Sequence, residues 1–153
     1  MKWLWLSGVV IALDQLTKLA AVGALELHQP LAVLPSVNLT LTHNTGAAFS
    51  LLDQSGDWQR WFFAAIALVV SAYIVVWLYR LPPGKAVLAA GLSLILGGAL
   101  GNLWDRLTLG YVIDFIDLFY STWHWPAFNV ADSAITIGAA LLIVDAFSGP
   151  AEG

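Results

Sequence analysis

Two stretches of 19 residues, Trp61 to Tyr79 and Ala86 to Trp104, contain no charge at all. Arg60 and Arg80 bound the first, and Lys85 and Asp105 bound the second. A helix needs about 20 consecutive apolar residues to cross the hydrocarbon core of a bilayer, and each run is that long. The whole chain points the same way. Only 10% of its residues are charged and 59% are hydrophobic, whereas a soluble domain carries about 25% charged residues. A greasy soluble helical protein is therefore disfavoured. Two further apolar segments complete the pattern, residues 3–25, interrupted by Asp14 and Lys18, and residues 127–147, with Asp132 near the start and Asp145 near the end. The predicted spans are 3–25, 61–79, 86–104 and 127–147, in a single integral membrane domain over 1–153. Trp3, Trp5, Trp58, Trp61, Tyr79 and Trp104 fall near span ends, as an interfacial aromatic belt does.

Residues 3–25 do not read as a cleaved signal peptide. The apolar run meets an acid and a base at its middle, and no A-x-A site follows it. With four spans, both ends of the chain share one side. Lys2, Arg80 and Lys85 lie there, while Glu26 to Gln59 holds no Lys or Arg. The positive-inside rule predicts cytoplasmic termini and an outer loop, although Arg106 and the acidic tail count against it. In that outer loop Val37, Leu39 and Leu41 alternate with Asn38, Thr40 and Thr42, a strand period. Asn44-Thr45-Gly46 is a turn signal and Ala47 to Leu52 is the expected returning strand, giving a β region over residues 33–53. Asp117 to Trp125, rich in aromatics, is expected to lie along the membrane interface. The fold class is thus an all-α membrane protein, four transmembrane helices with a small extracytoplasmic β-hairpin or sheet and an interfacial aromatic segment. Gly91, Gly97, Gly98 and Gly101 read as close helix contacts.

Several chemistries are excluded. The chain has no cysteine, so disulfides and thiolate chemistry are absent. A net charge of −4 leaves no footprint for nucleic acid. His28, His43 and His124 are scattered without an H-E-x-x-H, so zinc is not expected, and there is no G-x-S-x-G for a serine nucleophile.

The informative residues are the charges that hydrocarbon should exclude, each costing about 2.5–3.5 kcal/mol at a helix centre. Asp14 and Lys18 are four apart on one helix face, in the favourable order for an ion pair. They either neutralise each other or serve a site. Asp105 and Arg106 end the third span and read as an interfacial cap, with Arg106 free to hold the outer sheet or a substrate backbone. Asp114 lies in an apolar setting, and Asp132 opens the fourth span. If the connection folds back, the two can meet and share a proton, the arrangement in which one carboxylate activates water and the other protonates a carbonyl. Spacing alone leaves this beside a blander reading of each as a helix cap or satisfied loop acid. Asp53, Asp57 and Asp117 read as solvated loop acids.

Five blocks of sequence resemble a known family: Asp14-Gln15-Leu16-Thr17-Lys18, Asn44 to Phe49, Gly97 to Arg106, Val112-Ile113-Asp114-Phe115, and Phe128 to Ala134. In this order they resemble bacterial lipoprotein signal peptidase, also called signal peptidase II. The resemblance implies that Asp114 and Asp132 are the catalytic dyad of an aspartic endopeptidase. It implies that Asn44, Gly46, Asn102, Arg106 and Asn129 line the site, with Asp14, Lys18 and Asp105 supporting it. The implied substrate is a membrane-tethered prolipoprotein with a diacylglyceryl cysteine, cut just before that cysteine without metal or cofactor. The implied setting is the bacterial cytoplasmic (inner) membrane, with the site near the outer face, a monomeric enzyme, and inhibition by the cyclic peptide globomycin. The Phe119–Trp125 stretch and the hairpin near Asn44 are expected to clamp the substrate. The tail Ser148 to Gly153 departs from the family in lacking basic residues. Two rivals remain at this level. A small transporter or channel would use Asp14 in mid-span, and a scaffold subunit would tolerate Asp→Glu at 114 or 132.

Overall fold

A computed structural model describes residues 2–46 and 58–148. The elements in order are α1 (Leu4–Ala24), β1 (Leu31–Leu34), β2 (Val37–Asn44), α2 (Trp58–Arg80), α3 (Ala86–Thr108), β3 (Val112–Tyr120), β4 (Trp123–His124) and α4 (Val130–Phe147). All four helices are long and apolar enough to cross a membrane. Their outward faces are unsuited to water: Leu19, Leu68 and Val69 are each more than 60% exposed. Burying such side chains is worth about 1.5–3 kcal/mol apiece, so acyl chains are the solvent that fits them.

Helix α3 is the centre of the bundle, packed against α1, α2 and α4. Its glycines permit this. A Cβ on Gly97 would lie 2.7 Å from Val10 Cβ on α1, and one on Gly98 would overlap the Ala131 carbonyl oxygen on α4. Helix α1 turns a narrow stripe inward, Ser7, Val10, Asp14, Lys18 and Ala21, at helical spacing. The end of the bundle that carries Lys2, Arg80 and Lys85 is closed by Ile74, Leu78, Ala89, Leu92 and Leu96. At the other end Ala21, Leu41, Ile113 and Phe115 seat the sheet on the helices.

The sheet has four antiparallel strands in the order β1-β2-β3-β4. Val37 to Asn44 forms a strand as its alternation predicts. It pairs on one edge with β1 and on the other with the distant strand β3. Ala47 to Leu52, Asp53 and Asp57 lie outside the described residues. Asp117 to Trp125 is the end of β3, a turn at Ser121-Thr122, and β4, with Tyr120, Trp123 and Trp125 exposed. Asp117 is not solvated but 6% exposed, accepting from Asn38 Nδ2 at 2.9 Å and pairing with His124 Nδ1 at 2.9 Å. The first four residues of β3 are buried on both faces, so no alternation marked it as a strand.

A register shift between Leu39 and Thr42 places one extra residue in β2. Asn38 and Asn44 would share a face of a regular strand, whereas Asp114 and Asp117, three apart, occupy opposite faces of β3. The bulge resolves the mismatch. Asn38 meets Asp117, and Asn44 meets Asp114.

Candidate active site

The site forms where β3, the start of α4 and the ends of α1 and α3 converge. Asp132 is the third residue of α4 and takes part in a capping box with Asn129. The Asn129 side chain accepts from Asp132 N at 2.9 Å, and Asn129 N donates to Asp132 Oδ2 at 3.2 Å. This pairing satisfies two otherwise unpaired donors at the helix start and fixes the Asp132 carboxylate. Its other oxygen, Oδ1, accepts from Asn102 Nδ2 at 2.7 Å.

Asn129 also reaches the second acid. Its Nδ2 donates to Asp114 Oδ1 at 2.7 Å, while Asn44 Nδ2 donates to Asp114 Oδ2 at 2.9 Å. Gly46, at φ 97°, donates its N–H to Asn44 Oδ1 at 2.8 Å, which settles which end of that amide faces Asp114. A side chain at Gly46 would be strained there and would strike the Phe63 ring, 2.6 Å from a Cβ. Asp114 and Asp132 thus hang from one asparagine that is itself 0% exposed. Burial pushes the Asp114 carboxyl up to about 7, and the negative charge of Asp132 adds to the rise against the hydrogen bonds from Asn44 and Asn129. His43, stacked on Tyr111, is held below its ordinary range by burial and then by His28.

Behind the two acids lies a fully buried ion cluster. Lys18 Nζ sits 2.8 Å from Asp14 Oδ2, 2.8 Å from Asp105 Oδ2 and 3.0 Å from Asn102 Oδ1. The ion pair expected from the spacing of Asp14 and Lys18 forms. Asp105 is a correction: it is not an interfacial cap but 1% exposed. The helix runs one turn past it, and its Oδ2 also accepts from Ile113 N at 3.2 Å. Gln15, not singled out from the sequence although it sits beside Asp14, bridges Asp14 Oδ2 at 3.2 Å and Asp105 Oδ1 at 2.9 Å. Asp14 Oδ1 accepts from Ala131 N at 2.9 Å, tying α1 to the first turn of α4. At 0% exposure Asp14 lines no path across the bundle. Arg106 donates to Asn102 O at 3.3 Å and faces the Phe63 ring. Its buried Nε has no hydrogen-bond partner among the described residues.

Beside Asp132 opens an apolar cavity of about 420 Å³, lined by Leu118, Trp125, Phe128, Ser133, Thr136 and Ile137. A larger one, about 520 Å³, lies at the opposite end around Lys2, Leu78 and Lys85, far from the paired acids. Among the described residues, no group of three His, Cys, Asp or Glu side chains could hold a metal ion.

Residues 6–148 match the family model described as signal peptidase (SPase) II. The chain belongs to the signal peptidase II family. It is 53% identical over 147 residues to a lipoprotein signal peptidase of Alteromonas mediterranea, covering 96% of this chain and 81% of that protein. It is 52% identical over 153 residues to one from Pseudomonas aeruginosa, covering 99% and 90%. A solved bacterial membrane enzyme, determined by the in meso method, superposes with a TM-score of 0.83 at 32% identity, covering 94% of this chain and 91% of that one. The four apolar helices and the family together make this a bacterial membrane protein and a protease.

Proposed function

We propose that this chain removes signal peptides from diacylglyceryl-modified prolipoproteins, cutting before the lipidated cysteine, with Asp114 and Asp132 activating water between them. The observation that carries this is the shared asparagine: both carboxylates are hydrogen-bonded to Asn129, one through its side chain and one through its backbone.

The two acids have different surroundings, and that divides the labour. Asp132 stands in the first turn of α4, where two N–H donors fix its carboxylate. Asp114, raised to about 7, keeps a substantial protonated fraction at neutral pH. Asp132 takes a proton from water as the oxygen attacks the scissile carbonyl carbon, and Asp114 donates its proton to the carbonyl oxygen. The tetrahedral intermediate then collapses: Asp132 returns its proton to the leaving nitrogen and Asp114 recovers one from the hydroxyl. Arg106, donating to Asn102 O at 3.3 Å, brings a positive charge toward both acids. Asn44, Asn102 and Asn129 orient the acids, and Asp14, Lys18 and Asp105 hold the asparagines from behind.

The substrate is lipid-anchored, so it approaches sideways through the bilayer. The cavity of about 420 Å³ beside Asp132 suits an apolar segment arriving that way. The positive-inside rule sets Lys2, Arg80 and Lys85 toward the cytoplasm, which turns the sheet and site toward the outer face of the cytoplasmic membrane. The test is cleavage of a diacylglyceryl prolipoprotein by purified protein in lipid, comparing wild type with Asp114→Asn and Asp132→Asn. Globomycin-sensitive cleavage by wild type and none by either folded variant is expected. Cleavage that survives both substitutions would move the chemistry to other residues.

A further inference from the structure

We propose that Lys18 is a positioning residue for the dyad, acting through Asn102 to fix how both carboxylates are held. This rests on the reading of Asp114 and Asp132 as catalytic and assigns the mid-span cation a part in that reaction.

An ammonium has three N–H donors, and Lys18 uses all three, on Asp14, Asp105 and Asn102. The third matters most. An asparagine amide has one accepting and one donating end, and its neighbours decide which points where. With the ammonium against Asn102 Oδ1, the only end left for Asp132 is Nδ2, which donates to Asp132 Oδ1 at 2.7 Å. Reversing the amide would set an NH2 against an NH3⁺ and an oxygen against a carboxylate. The same Oδ1 accepts from Asn129 Nδ2 at 3.2 Å, and that Nδ2 donates to Asp114 Oδ1 at 2.7 Å. One cation therefore orients the Asn102 amide, and Asn102 together with Asn129, whose Oδ1 accepts from Asp132 N, holds the two acids.

Charge balance alone does not explain this arrangement. Asp14 and Asp105 already accept from Gln15, Ala131 N and Ile113 N. A lysine needed only to neutralise them has no reason to contact Asn102. The positive charge also reaches the acids through space, since Lys18 lowers the proton affinity of Asp114. The charged groups that face Asp114 are Asp132 on α4, Lys18 on α1 and Arg106 on α3. Asp14 and Asp105 stand behind Lys18, and His43 on β2 is stacked away on Tyr111.

The test compares Lys18→Met, Lys18→Arg and the double variant Asp14→Asn/Lys18→Met, with kcat, KM and the pH profile of cleavage measured in lipid. The double variant removes one acid with the base, so the cluster keeps its net charge while the contact to Asn102 is lost, which separates positioning from charge balance. On the positioning reading its kcat falls about tenfold or more while KM stays within about twofold. In Lys18→Met the alkaline limb of the profile, near pH 7 in wild type, moves upward because Asp114 has lost a favourable charge. Lys18→Arg keeps the charge and leaves the limb in place. Recovery of wild-type kcat in the double variant would overturn the proposal and leave Lys18 as a counter-ion. Retained cleavage in Asp114→Asn and Asp132→Asn would instead overturn the dyad itself, so the two failures are distinguishable.

Discussion

Gly98→Ala is a small substitution with a large expected effect. A Cβ at this position would lie 2.7 Å from Ile135 Cγ1 and would overlap the Ala131 carbonyl oxygen. Carbon atoms in contact sit about 3.5–4.0 Å apart, so the shortfall is about 1 Å. The obstruction includes the backbone of α4's first turn, which cannot swing aside as a side chain can. Helix α4 must therefore shift away from α3 by about 1 Å. Asn102 on α3 and Asp132 on α4 are joined by a 2.7 Å bond, and opening it to about 3.7 Å breaks it. A misplacement of that size costs about 10²-fold in rate, and overpacking costs about 1–3 kcal/mol in stability. The assay is kcat/KM for prolipoprotein cleavage, with the thermal midpoint read in the same detergent. Gly8→Ala is the neutral comparison, because nothing lies within 4 Å of its added methyl. Gly91→Ala crowds Leu142 and Gly138 on the same helix pair but further from the dyad, so it should lower the midpoint with much less effect on rate. Wild-type cleavage and an unchanged midpoint in Gly98→Ala would refute the packing argument. Equal rate losses in Gly91→Ala and Gly98→Ala at matched midpoints would refute the link to Asp132.

Two more outcomes follow from the buried acids. Asp114 has a folded-state proton affinity raised from 3.8 to about 7. Its stabilising contribution is fully present below pH 3.8 and is lost as pH rises toward 7, by at most about 4 kcal/mol. Asp114→Asn removes this dependence, so its thermal midpoint should gain on wild type between pH 4 and 7; parallel curves would show that Asp114 is not shifted. Asp117→Ala strands the buried Asn38 amide and frees His124, which should cost about 1–3 kcal/mol, seen as a lower midpoint in detergent.

What the sequence revealed depended on how local each signal was. The four helices and strand β2 were legible because their apolar periods lie within a single segment. Asp14 and Lys18 were legible as a pair because four residues is one helical turn. Strand β3 was hidden because its buried start breaks the alternation that marks a half-exposed strand. Asp117 looked solvated because its partners, Asn38 and His124, meet it only across strand pairs and after a bulge. Asp105 looked like an interfacial cap because nothing near it in sequence shows that Lys18, on another helix, takes a second carboxylate. The meeting of Asp114 and Asp132 was invisible in their spacing. One local sign did exist: Asn129-x-x-Asp132 before an apolar run is a capping-box pattern, and it placed Asp132 at a helix start with Asn129 beside it.

The polar groups also explain how a water-using site can be built at the end of a hydrocarbon-facing bundle. A lone Asp14, Lys18 or Asp105 within the spans would each add a cost of about 2.5–3.5 kcal/mol. Here each oxygen and each ammonium hydrogen has a partner, and those partners lie on different elements: α1 on α3, α1 on α4, α3 on β3. The bonds that offset desolvation are therefore the bonds that lock the elements in register. Because the cluster ends on Asn102 and Ala131, the register it locks is that of Asp132. A substitution that breaks the Lys18 cluster should change the dyad before it unfolds the bundle, since α2 and the apolar face around Leu92 and Leu96 do not depend on it.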